Sequence, residues 1–293
     1  METNSRAQAP SKSRLRAASE PQIPELCGLR LADLSSNLIA FTSQSLSGRF
    51  CDARWWAAEP AVAAAVINPT PARRALASER LGTLLKAYSI YLDLWVADAT
   101  GLVVAQGKPG GYCYLRKTSV GGEDWYRAAM EGRARSFFHG IDRPSAFGQT
   151  VATYAAPIRE GSLHDGKIVG VLGLFFDWRK QSQALIDGVR IPPDQRPFTR
   201  CLIVDGQNRV LASTGERGVL SEKFPLRPDN AMSGYYSDGH GHLVGFARSV
   251  GGENTFGGWH GVIEQSLSVA EGPLRVSPRG FGAGKMIPVQ SAS

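Results

Sequence analysis

Residues 150–178 read TVATYAAPIREGSLHDGKIVGVLGLFFDW, and they carry the clearest structural signal in the chain. Alternation is visible from Val151 to Ala155, and residues 168–176 form an almost unbroken apolar run. The segment between them, residues 160–166, has the Gly, Asp and Ser content of a turn. A polar turn between two such segments predicts the central hairpin of a half-buried antiparallel sheet.

Helical periodicity dominates the chain before its first predicted strand. Leucine and phenylalanine recur near helical spacing over residues 26–66, with Gly48 and Pro60 as candidate break points. A second helix follows, with Thr70 as its predicted N-cap and Pro71 at its first position. Two long helices before any strand are unusual for an enzyme domain, and they suit a stalk or a dimer surface.

One hairpin pattern occurs twice in the chain. LWVADATGLVVAQG at 94–107 has a partner, LIVDGQNRVLASTG, at 202–215. Asp98 and Asp205 each start a polar turn between two apolar strands. The repeat predicts two modules built to one plan, each with a short hairpin first and a longer one last.

The net charge of +7 does not by itself indicate a nucleic-acid partner. Basic residues are frequent near the two ends of the chain, whereas the interior carries mixed signs. A charge excess at chain ends is typical of solubility rather than of a binding face. We therefore expect no nucleic acid among the partners.

The cysteines and the hydropathy pattern bear on the cellular compartment. Cys27, Cys51, Cys113 and Cys201 are widely separated and form no C-x-x-C pair, which argues against a zinc or redox site. Buried free thiols in a reducing compartment are the simpler interpretation, although two disulfides stay open. The longest low-charge apolar stretch, residues 55–67, is too short to span a bilayer, and no secretory signal is evident. We expect a cytoplasmic protein without a membrane span.

Several phrases in the chain together resemble a known family. They are CDARWWAAEPAV at 51–62, GGEDWYRAAMEG at 121–132, GVLGLFFDWRKQSQALIDGV at 170–189 and GGWHGVIEQ at 257–265. In this order they resemble the double Cache sensor domain of bacterial chemoreceptors and sensor kinases, over residues 28–266. The resemblance implies two PAS-like modules, of which the first binds a small molecule and passes the signal through helices to an output domain.

Two features differ from most members of that family, which are flanked by transmembrane helices and carry an output domain. This chain shows no such helix, so it resembles a cytoplasmic variant. No methyl-accepting or kinase segment follows residue 265. The resemblance therefore implies a sensor without its output domain in this chain, a homodimer through the N-terminal helix, and a chemotaxis or kinase signalling partner.

The patterns and the resemblance together predict an α+β fold in which a long N-terminal helical stalk precedes two tandem PAS-like antiparallel-sheet modules. Residues 1–24 lack periodicity, and we expect them to be disordered. The stalk covers residues 25–88, the first module residues 89–190 and the second module residues 198–266. Residues 267–293 again lack periodicity and predict a disordered tail.

The resemblance also indicates which residues line the pocket of the first module. In members that bind amines or amino acids, an Arg-x-Trp-Tyr phrase opens the pocket helix. This chain keeps Trp125 and Tyr126 but has Glu123 in place of the arginine, whose task is to clamp a carboxylate with two hydrogen bonds. A glutamate repels a carboxylate, which argues against an α-amino acid ligand. The plain alternative is that the two aromatic residues form the apolar face of a short helix.

Three more residues complete the predicted ligand site. Asp142 lies in a loop expected at the pocket mouth and is the candidate partner of a cationic or hydroxylated ligand group, with a loop cap as the alternative. Tyr154, on the first strand of the central hairpin, is expected to line the floor. Arg116 precedes the pocket helix and would offer positive charge to an anionic group, with a solvated surface position as the alternative.

No pattern in the sequence indicates catalysis, a cofactor or a metal. The chain lacks a nucleophile elbow, a P-loop, an H-E-x-x-H sequence and a G-x-G-x-x-G loop. His240 and His242 alternate in a glycine-rich turn, and no third ligand is evident near them in the sequence. We therefore predict a ligand-binding protein rather than an enzyme. The rival is a degenerate receptor whose own side chains fill the pocket, so that it acts as a structural or interaction protein.

Overall fold

A computed structural model describes residues 22–112, 114–132, 136–162, 166–250, 258–267 and 287–288. Most of both predicted tails lies outside these ranges, and so does Cys113. Among the few tail residues that the structure describes, 22–24 are helix and 287–288 are strand rather than disordered. The first helix already begins at Gln22, with Glu25 in its first turn, where a negative charge favours a helix start. Residues 287–288 pair with a strand of the second module and cover part of its edge.

Three helices open the described chain: α1 (Gln22–Ala57), α2 (Pro60–Ile67) and α3 (Pro71–Ala87). The break at Pro60 is confirmed, and Glu59 caps α2 by accepting a hydrogen bond from the backbone N–H of Val62. Thr70 caps α3 as predicted. Gly48 does not interrupt α1. Within the described ranges, no helix is both long and apolar enough to cross a bilayer.

The first module is a five-stranded antiparallel sheet in the order β2-β1-β5-β4-β3. Its elements are β1 (Tyr91–Asp98), β2 (Val103–Gln106), α4 (Asp124–Met130), β3 (Phe137–Asp142), β4 (Val151–Arg159) and β5 (Ile168–Asp177). β4 and β5 form the predicted central hairpin. Both strands are buried along nearly their whole length, because helices or loops cover both faces of the sheet, and this burial explains the continuous apolar run.

The second module repeats this plan, with its sheet in the order β11-β8-β9-β10-β6-β7. α5 (Trp178–Asp187) precedes it, and its strands are β6 (Thr199–Val204), β7 (Val210–Ser213), β8 (Ser233–Ser237), β9 (His242–Arg248), β10 (His260–Ser266) and β11 (Ile287–Pro288). Single 3-10 turns occur at Glu160–Ser162, Arg196–Phe198 and Thr214–Glu216. Without the short β11, the strand order corresponds to that of the first sheet. The predicted α+β fold with two modules of one plan is therefore confirmed.

The two repeated hairpins are closed by the same hydrogen bonds. Asp98 Oδ1 accepts from the backbone N–H groups of Thr100 and Leu102. Asp205 Oδ1 accepts from the N–H groups at the two equivalent positions of its own turn. Aspartate suits such turns because its carboxylate bonds to the backbone of the residues that follow it. An aspartate therefore stands at the same place in both copies.

α1 lies on one face of the second sheet at unusually close range. A Cβ atom added to Gly245 would lie 2.4 Å from the backbone carbonyl carbon of Leu31. A Cβ atom added to Gly261 would lie 2.5 Å from the backbone oxygen of Ser35. Only a strand residue without a side chain permits this approach. The two glycines on neighbouring strands therefore set the position of α1.

The same helix continues across the first sheet. The Tyr154 hydroxyl of β4 donates a hydrogen bond to the backbone oxygen of Leu46, 3.2 Å away. The Tyr154 ring also meets Phe50 edge-on, with the ring centroids 5.4 Å apart. At the junction of the modules, the indole N–H of Trp178 on α5 donates to the backbone oxygen of Leu211 at 2.7 Å. These contacts join both sheets through α1 and α5.

We predict that Gly245→Ala destabilises the protein by about 1–3 kcal/mol, because the new methyl group must push α1 away from β9. Gly122→Ala is the matched control, since nothing lies within 4 Å of a Cβ atom at that position. Its free energy of unfolding should change by less than about 0.5 kcal/mol. Chemical denaturation followed by circular dichroism measures both. Equal stability of Gly245→Ala and wild type would contradict the close packing of α1.

Candidate functional site

The face of the first sheet that is turned away from α1 carries a cluster of aromatic rings. We call it the aromatic cluster, and it comprises Trp95, Tyr112, Trp125, Phe147 and Phe175. The ring of Trp95 stacks on that of Phe147 at 5.2 Å between centroids and lies 4.4 Å from that of Phe175. Tyr112 lies 4.6 Å from Phe147, and Trp125 meets Phe175 edge-on at 5.6 Å. The rings therefore pack against one another where the first module was predicted to hold a ligand.

Phe147 and Tyr112 are the members of the aromatic cluster that loops supply, and Phe147 is the buried one of the two. Phe147 lies between β3 and β4, in the loop of residues 143–150, and its side chain is buried. Its backbone N–H donates to the oxygen of Pro144 at 3.1 Å, which makes a tight turn, and Gly148 follows with φ at 65°. The loop thus covers the aromatic cluster with one inserted ring and turns on a glycine directly after it.

Asp93 on β1 is the charged group that lies behind the aromatic cluster. Its side chain is fully buried, and its Oδ2 accepts a hydrogen bond from the indole N–H of Trp95 at 2.8 Å. Its Oδ1 accepts from the backbone N–H groups of Leu94 at 2.8 Å and Lys108 at 3.0 Å. Burial raises the pKa of Asp93 to about 6, although these hydrogen bonds act in the opposite direction. Asp93 therefore ties the loop after β2 to the strand that carries Trp95.

Sequence reasoning did not select Asp93, although a signal was present. An aspartate inside the apolar phrase YLDLWVA is unusual, because a buried carboxylate needs several donors to offset the lost hydration. The donors come from its immediate neighbours and from Lys108, whose place beside β1 is set only by the β1–β2 hairpin. The sequence alone could have identified Asp93 as unusual, but it could not have identified the residues that donate hydrogen bonds to it.

The structure brings Trp125 and Tyr126 to the predicted face of the sheet. Both lie on α4 and are buried. Trp125 packs over Gly173, where an added Cβ atom would come within 2.9 Å of the indole ring, so the glycine of β5 makes room for it. The Tyr126 hydroxyl donates to the backbone oxygen of Asp98 at 2.8 Å. Their burial and packing also fit the plain alternative of an apolar helix face, and their ligand role stays a prediction.

Glu123, Asp142 and Arg116 are all exposed to solvent. Glu123 occupies the N-cap position of α4 and makes no side-chain capping hydrogen bond. Asp142 ends β3, and its Oδ1 accepts from the backbone N–H of Arg143 at 2.7 Å, a local contact that agrees with the loop-cap alternative. Arg116 has a φ of 61° and donates its backbone N–H to the oxygen of Val103. Two carboxylates that form no ion pair with a described side chain therefore flank the module at the end of β3 and the start of α4.

Tyr154 lies on the opposite face of the sheet from the one expected. Side chains alternate along a strand, so Val151 and Ala155 of β4 face the aromatic cluster while Tyr154 faces α1. There it is fully buried, and burial raises the pKa of its hydroxyl well above the ordinary value. The structure thus separates Tyr154 from Trp125 by the thickness of the sheet.

The glycine-rich turn between β8 and β9 gathers more potential ligands than its sequence suggested. Asp238, His242 and Glu264 each place a ligand atom within 4.8 Å of the others, and Glu264 reaches them from β10. Asp238 Oδ2 lies 2.8 Å from Nδ1 of His242, and its Oδ1 accepts from the backbone N–H groups of His240 and His242. These bonds account for Asp238 as a turn-closing residue, and His240 is exposed. The prediction of no metal site is not tested by this arrangement.

The three described cysteines are free, as the simpler interpretation predicted. Cys201 is buried, and burial raises the pKa of its thiol to about 11, so the thiol is protonated at neutral pH. Cys51, in contrast, is exposed on α1, and Cys27 is half-buried. The expectation of burial therefore holds for Cys201 but not for Cys51, because α1 turns one of its faces to solvent.

No protein-family model matches the chain, and no curated protein does. The fold is similar to that of the ligand-binding domain of the Campylobacter jejuni chemoreceptor Tlp3 in complex with L-valine, with a TM-score of 0.63, 17% identity, and coverage of 85% of this chain and 96% of that one. It is also similar to the ligand-binding domain of the Pseudomonas aeruginosa PAO1 amino acid chemoreceptor PctB in complex with L-Arg, with a TM-score of 0.60, 17% identity, and coverage of 82% and 88%.

A third similar structure is the sensor domain of the V. cholerae histidine kinase DctB, with a TM-score of 0.52, 12% identity, and coverage of 87% of this chain and 98% of that one. All three similarities extend over most of both chains, so they include both modules and α1. The chain therefore has the fold of the ligand-binding domains of chemoreceptors and sensor histidine kinases. The fold expected from the resemblance to double Cache domains is confirmed.

We predict that Asp93 makes the stability of the protein depend on pH in an unusual direction. Its pKa in the folded protein is about 6, raised from an ordinary value of 3.8, so the protonated form favours folding. The free energy of unfolding should therefore fall by about 3 kcal/mol as the pH rises from about 4 to above 6, relative to a variant without the carboxylate.

Urea denaturation of wild type and Asp93→Asn at several pH values measures this difference. The carboxylates of Glu222 and Asp238, whose pKa values are lowered, act in the opposite direction but equally in both proteins, so they cancel in the comparison. Parallel pH profiles of the two proteins would show that Asp93 titrates normally.

Proposed function

We propose that the chain is a small-molecule sensing domain that binds its ligand on the α4 face of the first sheet. The aromatic cluster carries this proposal, because it combines rings on β1, β5 and α4 with two rings on loops, Tyr112 and Phe147, of which Phe147 is buried. The similar domains of Tlp3 and PctB are described in complex with L-valine and L-Arg, which supports small-molecule binding by this fold. Ligand sites are commonly aromatic-lined, with a few placed polar groups.

Phe147 is the group that a ligand must displace in this proposal. Its ring occupies the space between Trp95, Tyr112 and Phe175, so the site is closed without ligand. The turn at Gly148 lets the loop swing outward, since the left-handed conformation there costs glycine little. A ligand ring or alkyl group then takes the place of the phenylalanine ring and restores the buried apolar contacts.

The charges at the start of α4 and the end of β3 favour a ligand with a positive group and no carboxylate. Glu123 and Asp142 are exposed carboxylates near the ends of α4 and β3, and neither forms an ion pair with a described residue. Aromatic faces attract cations, most strongly when the cation is shielded from water. A small organic amine or quaternary ammonium compound therefore suits the site better than an α-amino acid does.

β4 offers a route from the site to α1. Ala155 faces the aromatic cluster, and its neighbour Tyr154 is bonded to the backbone of α1 at Leu46. A shift of β4 on ligand binding would therefore displace α1, which also lies on the second sheet at Gly245 and Gly261. We propose that this helix carries the signal to a chemotaxis or kinase partner. The cytoplasmic location stays a prediction from the sequence.

The ligand test is a thermal-shift panel of small amines, quaternary ammonium compounds and α-amino acids, run on wild type and Phe147→Ala. We expect at least one cationic compound to raise the melting temperature of wild type. The same compound should bind Phe147→Ala more tightly, because the cost of displacing the ring is gone. Asp142→Asn should weaken binding several-fold. A panel without any stabilising compound for either protein would overturn the proposal.

The close packing of the aromatic cluster favours one alternative function, that of a structural or interaction protein whose own side chains fill the pocket permanently. In that case Phe147→Ala loses about 3–5 kcal/mol of stability and gains no ligand. Phe224→Ala is the matched control, because Phe224 is a buried phenylalanine of the second module outside the aromatic cluster. A sensor requires Phe147→Ala to cost clearly less stability than Phe224→Ala.

We also propose that the sensing unit is a homodimer formed through α1. Leu26, Phe41 and Trp55 are exposed on this helix, with 63%, 62% and 79% of their surface open to solvent. An α-helix advances by about 100° per residue, so the three positions fall within an arc of about 60°. Phe41 also lines an apolar groove with Leu38 and Leu185, into which a second copy could pack. A symmetric pair of helices would cover this stripe.

Phe41→Glu combined with Trp55→Glu should therefore convert a dimer into a monomer, because each glutamate would be buried without a partner in the interface. Analytical ultracentrifugation measures the mass of both proteins. Leu76→Glu is the matched control, since Leu76 is an exposed leucine on α3, and this variant should stay dimeric. A wild-type protein that sediments as a monomer at all concentrations would contradict the proposed dimer.

A further inference from the structure

We propose a second ligand site in the first module, in a groove between α3 and the loop residues 107–109 and 115–116, that takes an organic carboxylate with an apolar body. The groove lies along the β2 edge of the sheet and has a volume of about 1000 Å³. No residue of the aromatic cluster lines it. It is therefore a separate site from the one proposed above, and either site can exist without the other.

Four cationic side chains line this groove, which we call the α3 groove. They are Arg74 and Lys86 of α3 and Lys108 and Arg116 of the facing loop, and the one carboxylate in the lining is that of Glu79. Within the described part of the chain, none of the four forms an ion pair. Unpaired cations that share one concave surface repel one another and attract an anion. The charge of the lining thus selects a negatively charged ligand.

Arg74 provides the strongest polar contact available in the α3 groove. Its side chain is half-buried, and its Nε is buried with no hydrogen-bond partner among the described residues. A buried donor without an acceptor costs free energy, so this guanidinium is short of acceptors. The guanidinium fork matches the two oxygen atoms of a carboxylate in one plane. Arg74 is therefore the residue expected to bind the carboxylate directly.

The rest of the lining is largely apolar and indicates what else the ligand contains. Leu85, Tyr91, Leu92, Val104 and Leu115 are among the residues that line the α3 groove. A purely inorganic anion would leave this surface in contact with water, whereas an alkyl or aryl group would cover it. The combination of cations with apolar walls therefore fits a carboxylate attached to a hydrocarbon chain or ring.

The α3 groove is connected to the aromatic cluster through Lys108. Its side chain lines the groove, with Nζ 5.1 Å from the ring centroid of Tyr112, and its backbone N–H is bonded to Asp93. Asp93 in turn holds the indole of Trp95. A carboxylate that draws Lys108 into the groove would therefore act on two residues of the aromatic cluster, and the second ligand would influence the first.

Isothermal titration calorimetry with benzoate, hexanoate, benzyl alcohol and inorganic phosphate tests the proposal on the full chain. We expect benzoate and hexanoate to bind wild type with millimolar affinity and benzyl alcohol to bind at least about tenfold more weakly. Arg74→Gln combined with Lys86→Gln should weaken both carboxylates by about tenfold or more.

Lys167→Gln combined with Lys180→Gln is the charge-matched control, because both lysines are exposed and lie outside the α3 groove. This pair should bind benzoate as wild type does. Four results would overturn the proposal: no carboxylate binding at about 10 mM, equal weakening by the control pair, equal affinity for benzyl alcohol, or binding of phosphate alone. Circular dichroism of each variant shows whether it is folded before its titration is interpreted.

Discussion

The contact between α1 and the two sheets is the constraint on which the rest of the structure depends. Gly245 and Gly261 let the helix lie directly on β9 and β10, and Tyr154 bonds to its backbone from β4. One helix of 36 residues thus supports both modules. Since interiors are close-packed, α1 cannot shift on one sheet without disturbing its contacts with the other.

The position of α1 also explains where a ligand can bind. Together with α2 and α3, the helix covers one face of the first sheet, and α4, the loops and the aromatic cluster lie on the opposite face. Phe147 is the buried ring there that a loop supplies, and its burial is worth about 2–3 kcal/mol. A ligand that replaces this ring needs to recover only that amount plus the cost of moving the loop. A site closed by its own side chain is therefore compatible with reversible binding.

Electrostatics divide the first module into two regions of opposite sign. Carboxylates flank the aromatic cluster at Glu123 and Asp142, whereas the α3 groove presents Arg74, Lys86 and other cations. Asp93 lies between the two regions and is bonded to both Trp95 and the backbone of Lys108. Its raised pKa reflects the cost of keeping a carboxylate in this buried position, which a purely structural strand would avoid.

Local patterns predicted the elements of the fold well. The hairpin of β4 and β5, the N-cap at Thr70 and the repeated aspartate turns all depend on residues close in the chain, and the structure confirms each of them. The side assigned to Tyr154 was wrong, although the period of a strand already places it opposite Val151. The family's Arg-x-Trp-Tyr motif, which has Glu123 in place of the arginine here, indicated that Trp125 and Tyr126 lie on this face of the sheet. It did not indicate how their rings pack against the other aromatic residues.

What the sequence by itself determined is the list of strands and helices, their pairing into hairpins and the duplication of one plan, because these follow from periodicity and turn chemistry over short distances. Only the tertiary structure decided that Lys108 meets Asp93, that Glu264 reaches His242, and that four cations line one groove. These contacts depend on how α1 and the sheets pack against one another. Such packing brings together surfaces from distant parts of the chain.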